Sequence, residues 1–402
     1  MNARNAAPPA RLEARIDLDA LRSNVRRLRE IAAPAQVMAV VKADAYGHGM
    51  LPCARAALEA GASWVGTALP EEALALRAAG IDAPILTWLH APGDDFAALV
   101  RAGIDISVSG QWALLAVLDA VEETGRPARI QLKADTGLGR NGVQPRDWPL
   151  VVDEAVKAEQ AGRLTVTGVW SHFACADEPG HPSIPRQLTA YHEALDYAET
   201  AGLRPQVRHM ANSPATLSIP ESRFDLVRTG VAMYGLSPSP ELGVPADFGL
   251  RPVMTLVARL ASVKRVPADH GVSYGHTYHT DTETRLALVP AGYADGIARA
   301  ASGVGPVSIG GHRYTIAGRV AMDQFVVDLG PGGDCEPDPA AGDEAVLFGP
   351  GDGGAPTAQD WAQAVGTIGY EIVTRIGPRV PRVYSGERHL GEQLGHSLAA
   401  NA

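Results

Sequence analysis

The segment VMAVVKADAYGHG, residues 37–49, places an apolar run directly before a lysine and a glycine-containing turn. The run at 37–41 has the length and composition of a buried strand, so Lys42 leaves the carboxyl end of that strand. Parallel α/β folds gather their chemistry at this end. Burial there favours the neutral amine that forms Schiff bases, although a lysine at a strand end can also extend its charged head into solvent.

Further apolar runs follow this strand at fairly even intervals and alternate with helical patterns up to about residue 230. A helical spacing of apolar residues from Leu18 to Leu28 precedes the first strand. The predicted strands are residues 36–41, 64–67, 84–88, 105–108, 129–133, 165–170, 206–210 and 224–228. Eight strands alternating with helices indicate a (β/α)8 TIM-like barrel, although an open doubly wound sheet would give a similar pattern.

The pattern changes after residue 245, where short β-type runs are separated by glycine, proline and aspartate. Strands are predicted at 253–266, 284–290, 306–309, 314–317, 324–329 and 344–348, and a helix at 357–365. A chain of 402 residues also exceeds the usual size of a single core. We therefore predict an N-terminal barrel over residues 12–245, a C-terminal mostly-β domain over 246–388, and flexible tails at 1–11 and 389–402.

The composition narrows the possible partners and the location. The formal net charge is −10, from 35 basic and 45 acidic residues, which argues against binding to nucleic acid or to an anionic membrane. Cys53, Cys175 and Cys335 form no C-x-x-C pair, which suggests reduced thiols. No apolar stretch approaches the ~20 residues of a membrane helix, and no secretory signal is evident. The expected location is the cytoplasm.

Two more strand ends carry candidate site residues. Lys133 ends the fifth strand and begins KADTGLGRNG, whose loop also holds Arg140. This loop matches G-x-G-x-x-G, but prolines interrupt the helix that a dinucleotide site needs. In RHMANSPA, Asn212 or Ser213 can begin a helix whose free N–H groups would bind phosphate, or can act simply as an N-cap. Arg228 ends the last strand and could pair with an acceptor inside the barrel mouth.

Two other patterns are weaker. Residues 271–275 fit G-x-S-x-G, but the sequence after them is typical of a turn and not of the helix that a nucleophile elbow requires. We therefore do not expect Ser273 to act as a nucleophile. His48, His172 and His209 show no metal-ligand spacing, so no metal is expected.

Together, nine segments resemble the alanine racemases, a family of fold-type III pyridoxal-phosphate enzymes. They are AVVKADAYGHG, KADTGLGRNG, SHFACAD, RHMANSPA, DLVRTGVAMYG, VSYGHTY, GYADG, RVAMDQ and TIGYE, in the order that the family shows. The resemblance extends from Arg15 to about Val383. Two positions depart from the family pattern: Ala321, where many members have cysteine, and Gly369, where asparagine or proline is common.

The resemblance implies a cofactor, pyridoxal 5′-phosphate, and a homodimer with shared active sites. Lys42 would hold the cofactor as a Schiff base and act as one catalytic base, and Tyr274 of the partner subunit would be the second. Arg228 would face the pyridine nitrogen. The positions that match phosphate contacts are Tyr46, Ser213, Gly230, Val231 and Tyr370.

On the substrate side, the resemblance assigns Arg140 to the carboxylate and Met322 to the wall that the other subunit supplies. Supporting roles fall to Lys133, which matches a lysine that is often carbamylated in the family, and to His172, His209, Asn212, Tyr293 and Asp323. Lys42 would act on D-alanine and Tyr274 on L-alanine, and a nearby cation, His172 or Arg140, should help Tyr274 to lose its proton. Arg228 would keep the ring nitrogen unprotonated and so suppress side reactions.

The implied function is the racemisation of alanine, which provides D-alanine for peptidoglycan synthesis. A broader-specificity or serine-preferring racemase is the nearest alternative, because the loops around Tyr274 and Tyr293 set the width of the pocket. A non-catalytic cofactor-binding protein would be a single barrel without Tyr274 and Met322. A decarboxylase of the same fold type would carry a Cys-x-x-x-Asp-like element, which this sequence lacks.

Overall fold

The computed structural model describes residues 10–332 and 338–387. Residues 1–9 of the first predicted tail, all of the second predicted tail and Cys335 lie outside these ranges. The strands are β1 (Leu12–Asp17), β2 (Gln36–Val40), β3 (Trp64–Thr67), β4 (Ile85–Thr87), β5 (Asp105–Val108), β6 (Ala128–Lys133), β7 (Leu164–Trp170), β8 (Val207–His209), β9 (Leu226–Thr229), β10 (Met254–Arg259), β11 (Ser262–Val266), β12 (Gly271–Val272), β13 (Tyr278–His279), β14 (Thr284–Val289), β15 (Pro306–Ile309), β16 (His312–Ala317), β17 (Phe325–Asp328), β18 (Glu344–Phe348) and β19 (Arg382–Ser385).

Helices cover the barrel and part of the second sheet. They are α1 (Leu18–Ala32), α2 (Lys42–Tyr46), α3 (Met50–Glu59), α4 (Pro70–Ala78), α5 (Phe96–Arg101), α6 (Gln111–Thr124), α7 (Trp148–Gln160), α8 (Ser183–Thr200), α9 (Ser213–Ser218), α10 (Ala358–Val365) and α11 (Gly369–Thr374). Helix α1 illustrates why these helices form. The side chain of Asp17 caps α1 by accepting from the N–H groups of Asp19 and Ala20, and Leu21 and Val25 on its inner face are fully buried.

The eight predicted barrel strands are confirmed. All are parallel, in the order β8-β7-β6-β5-β4-β3-β2-β9. Two backbone hydrogen bonds join the ends of this order, from Asp225 N–H to Arg208 O at 3.1 Å and from Arg228 N–H to Ala211 O at 2.9 Å. The sheet therefore nearly closes on itself, and the alternative of an open doubly wound sheet is wrong.

The second sheet has nine strands in the order β11-β14-β17-β16-β15-β18-β10-β1-β19, and β12 pairs with β13 beside it. Strand β1 pairs antiparallel with β10 and parallel with β19. The sequence predicts a barrel that begins at residue 12, but these pairings place residues 12–17 in the second sheet. The reason is visible in β1, where buried and half-buried residues alternate, as in a sheet with one solvated face. The predicted boundary between residues 245 and 246 stays a prediction.

Candidate active site

A cavity of about 370 Å³ lies at the carboxyl ends of the barrel strands. Its wall includes eleven of the predicted site residues: Lys42, Tyr46, Lys133, Arg140, His172, Asn212, Ser213, Arg228, Gly230, Val231 and Tyr370. It also includes Val40, Trp88, Trp170, Pro214 and Thr374, which the sequence analysis did not single out. Trp88 and Trp170 follow or end strands β4 and β7, so the rule that located Lys42 could also have located them.

Lys42 enters the cavity from a strained turn. Ala43, Asp44, Ala45 and Tyr46 have φ angles of 52°, 52°, 55° and 54°, so α2 is left-handed. Each L-residue in this conformation costs about 1–2 kcal/mol. Backbone strain of this kind persists where surrounding contacts impose it, and it is concentrated at functional sites.

Contacts from several elements hold the turn. The carboxylate of Glu72 on α4 accepts from the N–H of Ala43 at 2.7 Å, and Asp44 Oδ1 accepts from the N–H of Met50 at 2.8 Å. Nδ1 of the buried His48 lies 3.0 Å from the carbonyl oxygens of Ala45 and Tyr46. These bonds fix the direction in which Lys42 and Tyr46 leave the backbone.

The cavity is strongly cationic. Lys42, Lys133, Arg140 and Arg228 line it, and no carboxylate of the described ranges does. Burial, followed by the charge of Arg140, lowers the pKa of Lys42. Burial, followed by the charge of Arg228, lowers the pKa of Lys133 to about 7. The site therefore favours an anionic ligand, and it shifts both lysines toward their neutral amines.

One end of the cavity is built to donate hydrogen bonds. The Ser213 hydroxyl oxygen accepts from the N–H groups of Gly230 at 2.9 Å and Ala232 at 3.3 Å, which leaves its own proton to donate. Burial raises the pKa of Tyr46 and Tyr370, so both phenols stay protonated donors. Asn212 is the cap of α9, because its side chain accepts from the N–H of Ala215. A phosphate would match this donor set.

Arg228 also lines the cavity. Its Nη2 donates to Ser171 O at 2.8 Å, to Nδ1 of His172 at 3.0 Å and to Met210 O at 3.1 Å, and its Nη1 donates to Nδ1 of His209 at 3.0 Å. Four acceptors fix the guanidinium in one orientation. Burial lowers the pKa of Arg228 to about 9, so it remains a cation at neutral pH.

Of the five predicted residues that do not line the cavity, His209 contacts Arg228 and four lie elsewhere. Tyr274, Tyr293, Met322 and Asp323 belong to the second sheet's loops and line no part of this cavity. Tyr274 and Met322 are 70% and 52% exposed. Ser273, in the G-x-S-x-G segment, donates its hydroxyl to Arg319 O at 2.7 Å, so no nucleophile elbow forms.

These features fit pyridoxal phosphate. The donor-rich end suits a phosphate monoester, the largely buried Lys42 suits an aldehyde, and the fixed Arg228 suits a ring nitrogen that accepts a hydrogen bond. A Cβ at Gly230 would come within 2.3 Å of the Tyr46 hydroxyl, so only glycine at this position allows Tyr46 to stand beside the donors Ser213 and Tyr370. Within the described ranges, no group of three His, Cys, Asp or Glu side chains could hold a metal ion. No helix there is long and apolar enough to cross a membrane.

The barrel, its lysine-bearing strand end and the separate β domain define the class of barrel-type pyridoxal-phosphate enzymes. Two family models match the chain, the N-terminal domain of alanine racemase over residues 16–238 and the C-terminal domain over residues 253–384. The chain therefore belongs to the alanine racemase family.

Individual relatives agree with this assignment. An alanine racemase of Streptomyces coelicolor is 65% identical over 96% of this chain and 98% of its own length. One of Thermobifida fusca is 59% identical over 93% and 98%. The crystal structure of the alanine racemase from the D-cycloserine-producing Streptomyces lavendulae is 64% identical, has a TM-score of 0.92, and covers 95% of this chain and 99% of its own.

Proposed function

We propose that this protein interconverts L- and D-alanine with pyridoxal phosphate by a two-base mechanism. The observation that carries the proposal is the cationic cavity around Lys42 and Arg228, in a chain 65% identical to an alanine racemase over nearly its whole length. Its product, D-alanine, would serve peptidoglycan synthesis, which is the role of this family. The cytoplasm remains the expected location, and cell fractionation would test it.

Two bases are needed because the Cα proton must leave one face of the substrate and return to the other. Bound pyridoxal phosphate supplies the electron sink that makes this proton removable. Burial lowers the pKa of Lys42, which favours the neutral amine that a base on the D-alanine side needs. Tyr274 is the second base, on the L-alanine side.

The protein acts as a homodimer in this proposal, because Tyr274 and Met322 are exposed and line no part of their own chain's cavity. Each chain would present these residues to the cavity of its partner. The cation beside Tyr274 would then be Arg140. His172 does not fill that role, since burial and the charge of Arg228 lower its pKa well below the ordinary value and keep it neutral.

The activity is tested by incubating the purified protein with pyridoxal phosphate and L-alanine and following D-alanine by chiral chromatography. We expect the wild type to approach an equal mixture, and Lys42→Ala and Tyr274→Phe to be severely impaired. A wild type that binds the cofactor but forms no D-alanine would overturn the proposal. L-Serine in a parallel assay tests the serine-preferring alternative.

The shared site is tested by mixing the two inactive variants. If Tyr274 acts in the partner's cavity, a mixed dimer of Lys42→Ala and Tyr274→Phe has one intact site and one site that lacks both groups. Random re-pairing should then restore roughly a quarter of the wild-type rate. If both residues act within one chain, mixing restores nothing, and the homodimeric site is wrong.

A further inference from the structure

Two loops of the second sheet are joined along their backbones. The N–H of Tyr293 donates to Ala321 O at 3.1 Å, and the N–H of Ala294 donates to Met322 O at 2.9 Å. A Cβ at Gly292 would lie 2.2 Å from the Met322 carbonyl oxygen, so the loops meet without room for a side chain there. The exposed side chains of Tyr293 and Met322 thus stand on one jointly built surface.

Arg379, from the segment between α11 and β19, ties both loops to itself. Its Nη2 lies 2.7 Å from Asp323 Oδ1, in the loop that carries Met322. Its Nε lies 3.3 Å from Asp295 Oδ1, in the loop that carries Tyr293. A guanidinium can engage two carboxylates at once through its fork of donors, which an ammonium of similar length cannot do in the same geometry.

The two carboxylates differ in burial, and therefore in how strongly the charge of Arg379 stabilises each of them. Asp323 is exposed, and an exposed ion pair contributes little by itself. Asp295 is fully buried, and its Oδ2 accepts from the N–H of Gly292 at 2.9 Å. Its Oδ1 accepts no hydrogen bond from the described residues, so the charges of Arg379 at 3.3 Å and Arg11 at 3.7 Å are what compensate it. Without Arg379, only the more distant and half-exposed Arg11 of these two cations would face this carboxylate, and a buried carboxylate that loses a nearby cation is disfavoured. Loss of Arg379 should therefore disturb the loop of Tyr293 as well as that of Met322.

We propose that Arg379 is a positioning residue that sets substrate specificity. It holds Tyr293 and Met322 in one rigid wall, and the spacing of that wall decides which amino-acid side chains fit beside the reacting Cα. This inference rests on the proposed function, in which the wall faces the partner's cavity. Arg379 touches neither substrate nor cofactor and acts only through Asp295 and Asp323.

The test compares Arg379→Ala with a matched control, Arg375→Ala. Arg375 is similarly exposed, and among the described residues its side chain pairs with Glu371 on α11 and with neither loop. For Arg379→Ala we expect KM for alanine to rise at least about fivefold with a smaller change in kcat, and the ratio of kcat/KM for alanine over serine to fall about tenfold. Arg375→Ala should match the wild type in both. Unchanged KM and selectivity in Arg379→Ala would overturn the proposal.

Two further variants separate positioning from loss of folding. Arg379→Lys keeps a cation near Asp295 but cannot bridge both carboxylates, so it should fold as the wild type does and still show relaxed selectivity. Arg379→Ala combined with Asp323→Ala should lose little more selectivity than Arg379→Ala alone, because both act on one wall. Wild-type selectivity in Arg379→Lys, or full additivity in the double variant, contradicts the inference. A wild type that does not racemise alanine would instead refute the proposed function.

Discussion

The phenolic oxygen of Tyr46 lies against Gly230, so closely that a Cβ on that glycine would come within 2.3 Å of it and within 3.0 Å of the ring carbon that bears it. Tyr46 arrives from the left-handed α2, at the first strand of the barrel, and Gly230 follows the last strand. Their contact joins the two ends of the chain path around the barrel. The hydrogen-bond donors that follow the first and the last barrel strand are thereby placed on one side of the cavity.

Gly230→Ala should weaken cofactor binding. The added methyl group would push the Tyr46 ring away from the other donors of the cavity, because real Cβ atoms do not approach other atoms at 2.3 Å. We expect the Kd for pyridoxal phosphate to rise about tenfold, which corresponds to about 1.4 kcal/mol. Titration of the apoprotein with the cofactor, followed by absorbance, measures it.

Gly377→Ala is the control for this substitution, since the nearest atom to its Cβ would be Ala294 O at an ordinary 3.6 Å. Adding Tyr46→Phe to Gly230→Ala removes the oxygen that clashes. The double variant should therefore lose less free energy of unfolding than the sum of the losses in the two single variants. Strict additivity would show that the clash is relieved in some other way.

Lys133 should make the stability of the apoprotein depend on pH. Its pKa is about 7 in the folded chain, against an ordinary value of 10.5. Between these values the unfolded state binds a proton that the folded state does not, so stability rises with pH across this window and falls as pH drops toward 7. Lys133→Met should flatten this rise, which urea unfolding at several pH values would measure. Part of the slope should remain, because the pKa of Lys42 is lowered as well. An unchanged slope would show that the pKa of Lys133 is not lowered in the folded chain.

Arg228→Lys should destabilise the barrel and not only the reaction. The guanidinium donates to four buried or half-buried acceptors on Ser171, His172, His209 and Met210, and an ammonium cannot reach them all. Each buried acceptor left unpaired costs about 1–3 kcal/mol. Thermal unfolding should show the loss, and Arg228→Glu should in addition raise transamination products, detected as pyruvate. Unchanged stability in Arg228→Lys would show that the four bonds contribute little.

Much of the barrel and its site could be predicted because the signal is local. Each barrel strand is a short apolar run, and Lys42, Lys133 and Arg228 stand at strand ends where such folds place their chemistry. The left-handed turn at residues 43–46 could not be predicted, because alanine, aspartate and tyrosine give no signal for four positive φ angles in a row. Its support comes from Glu72, on a different helix.

The second sheet was harder to predict from the sequence, for a related reason. Strand β1 pairs with β10 and β19, which lie more than two hundred residues away, and no local pattern names such partners. The predicted run at 253–266 divides into β10 and β11 because Leu260 and Ala261 bond to Asp343 and Leu288 instead of continuing one ladder. The alternation of apolar and polar residues in β1 is a local signal of a sheet with one solvated face, but it does not identify the partner strands.

His209 should hold one tautomer from pH 6 to 9. The carboxylate of Asp105 can only accept, so the amide nitrogen of Gln131 faces it at 3.5 Å and the amide oxygen faces Nε2 of His209 at 2.7 Å. That oxygen is an acceptor, so Nε2 carries the proton. Nδ1 then accepts from Arg228, which has only donors, and the ring lies parallel to Trp170 with an interplanar angle of 3°.

Protonation of His209 would place an N–H against an N–H of Arg228. Burial, followed by the charge of Arg228, accordingly lowers the pKa of His209 well below its ordinary value. In 15N-histidine NMR, with His209→Gln used to assign the signal, we expect a protonated Nε2 and an unprotonated Nδ1 from pH 6 to 9. A proton on Nδ1, or titration of the ring in this range, would mean that Arg228 does not donate to His209, and the orientation derived for its guanidinium would have to be abandoned.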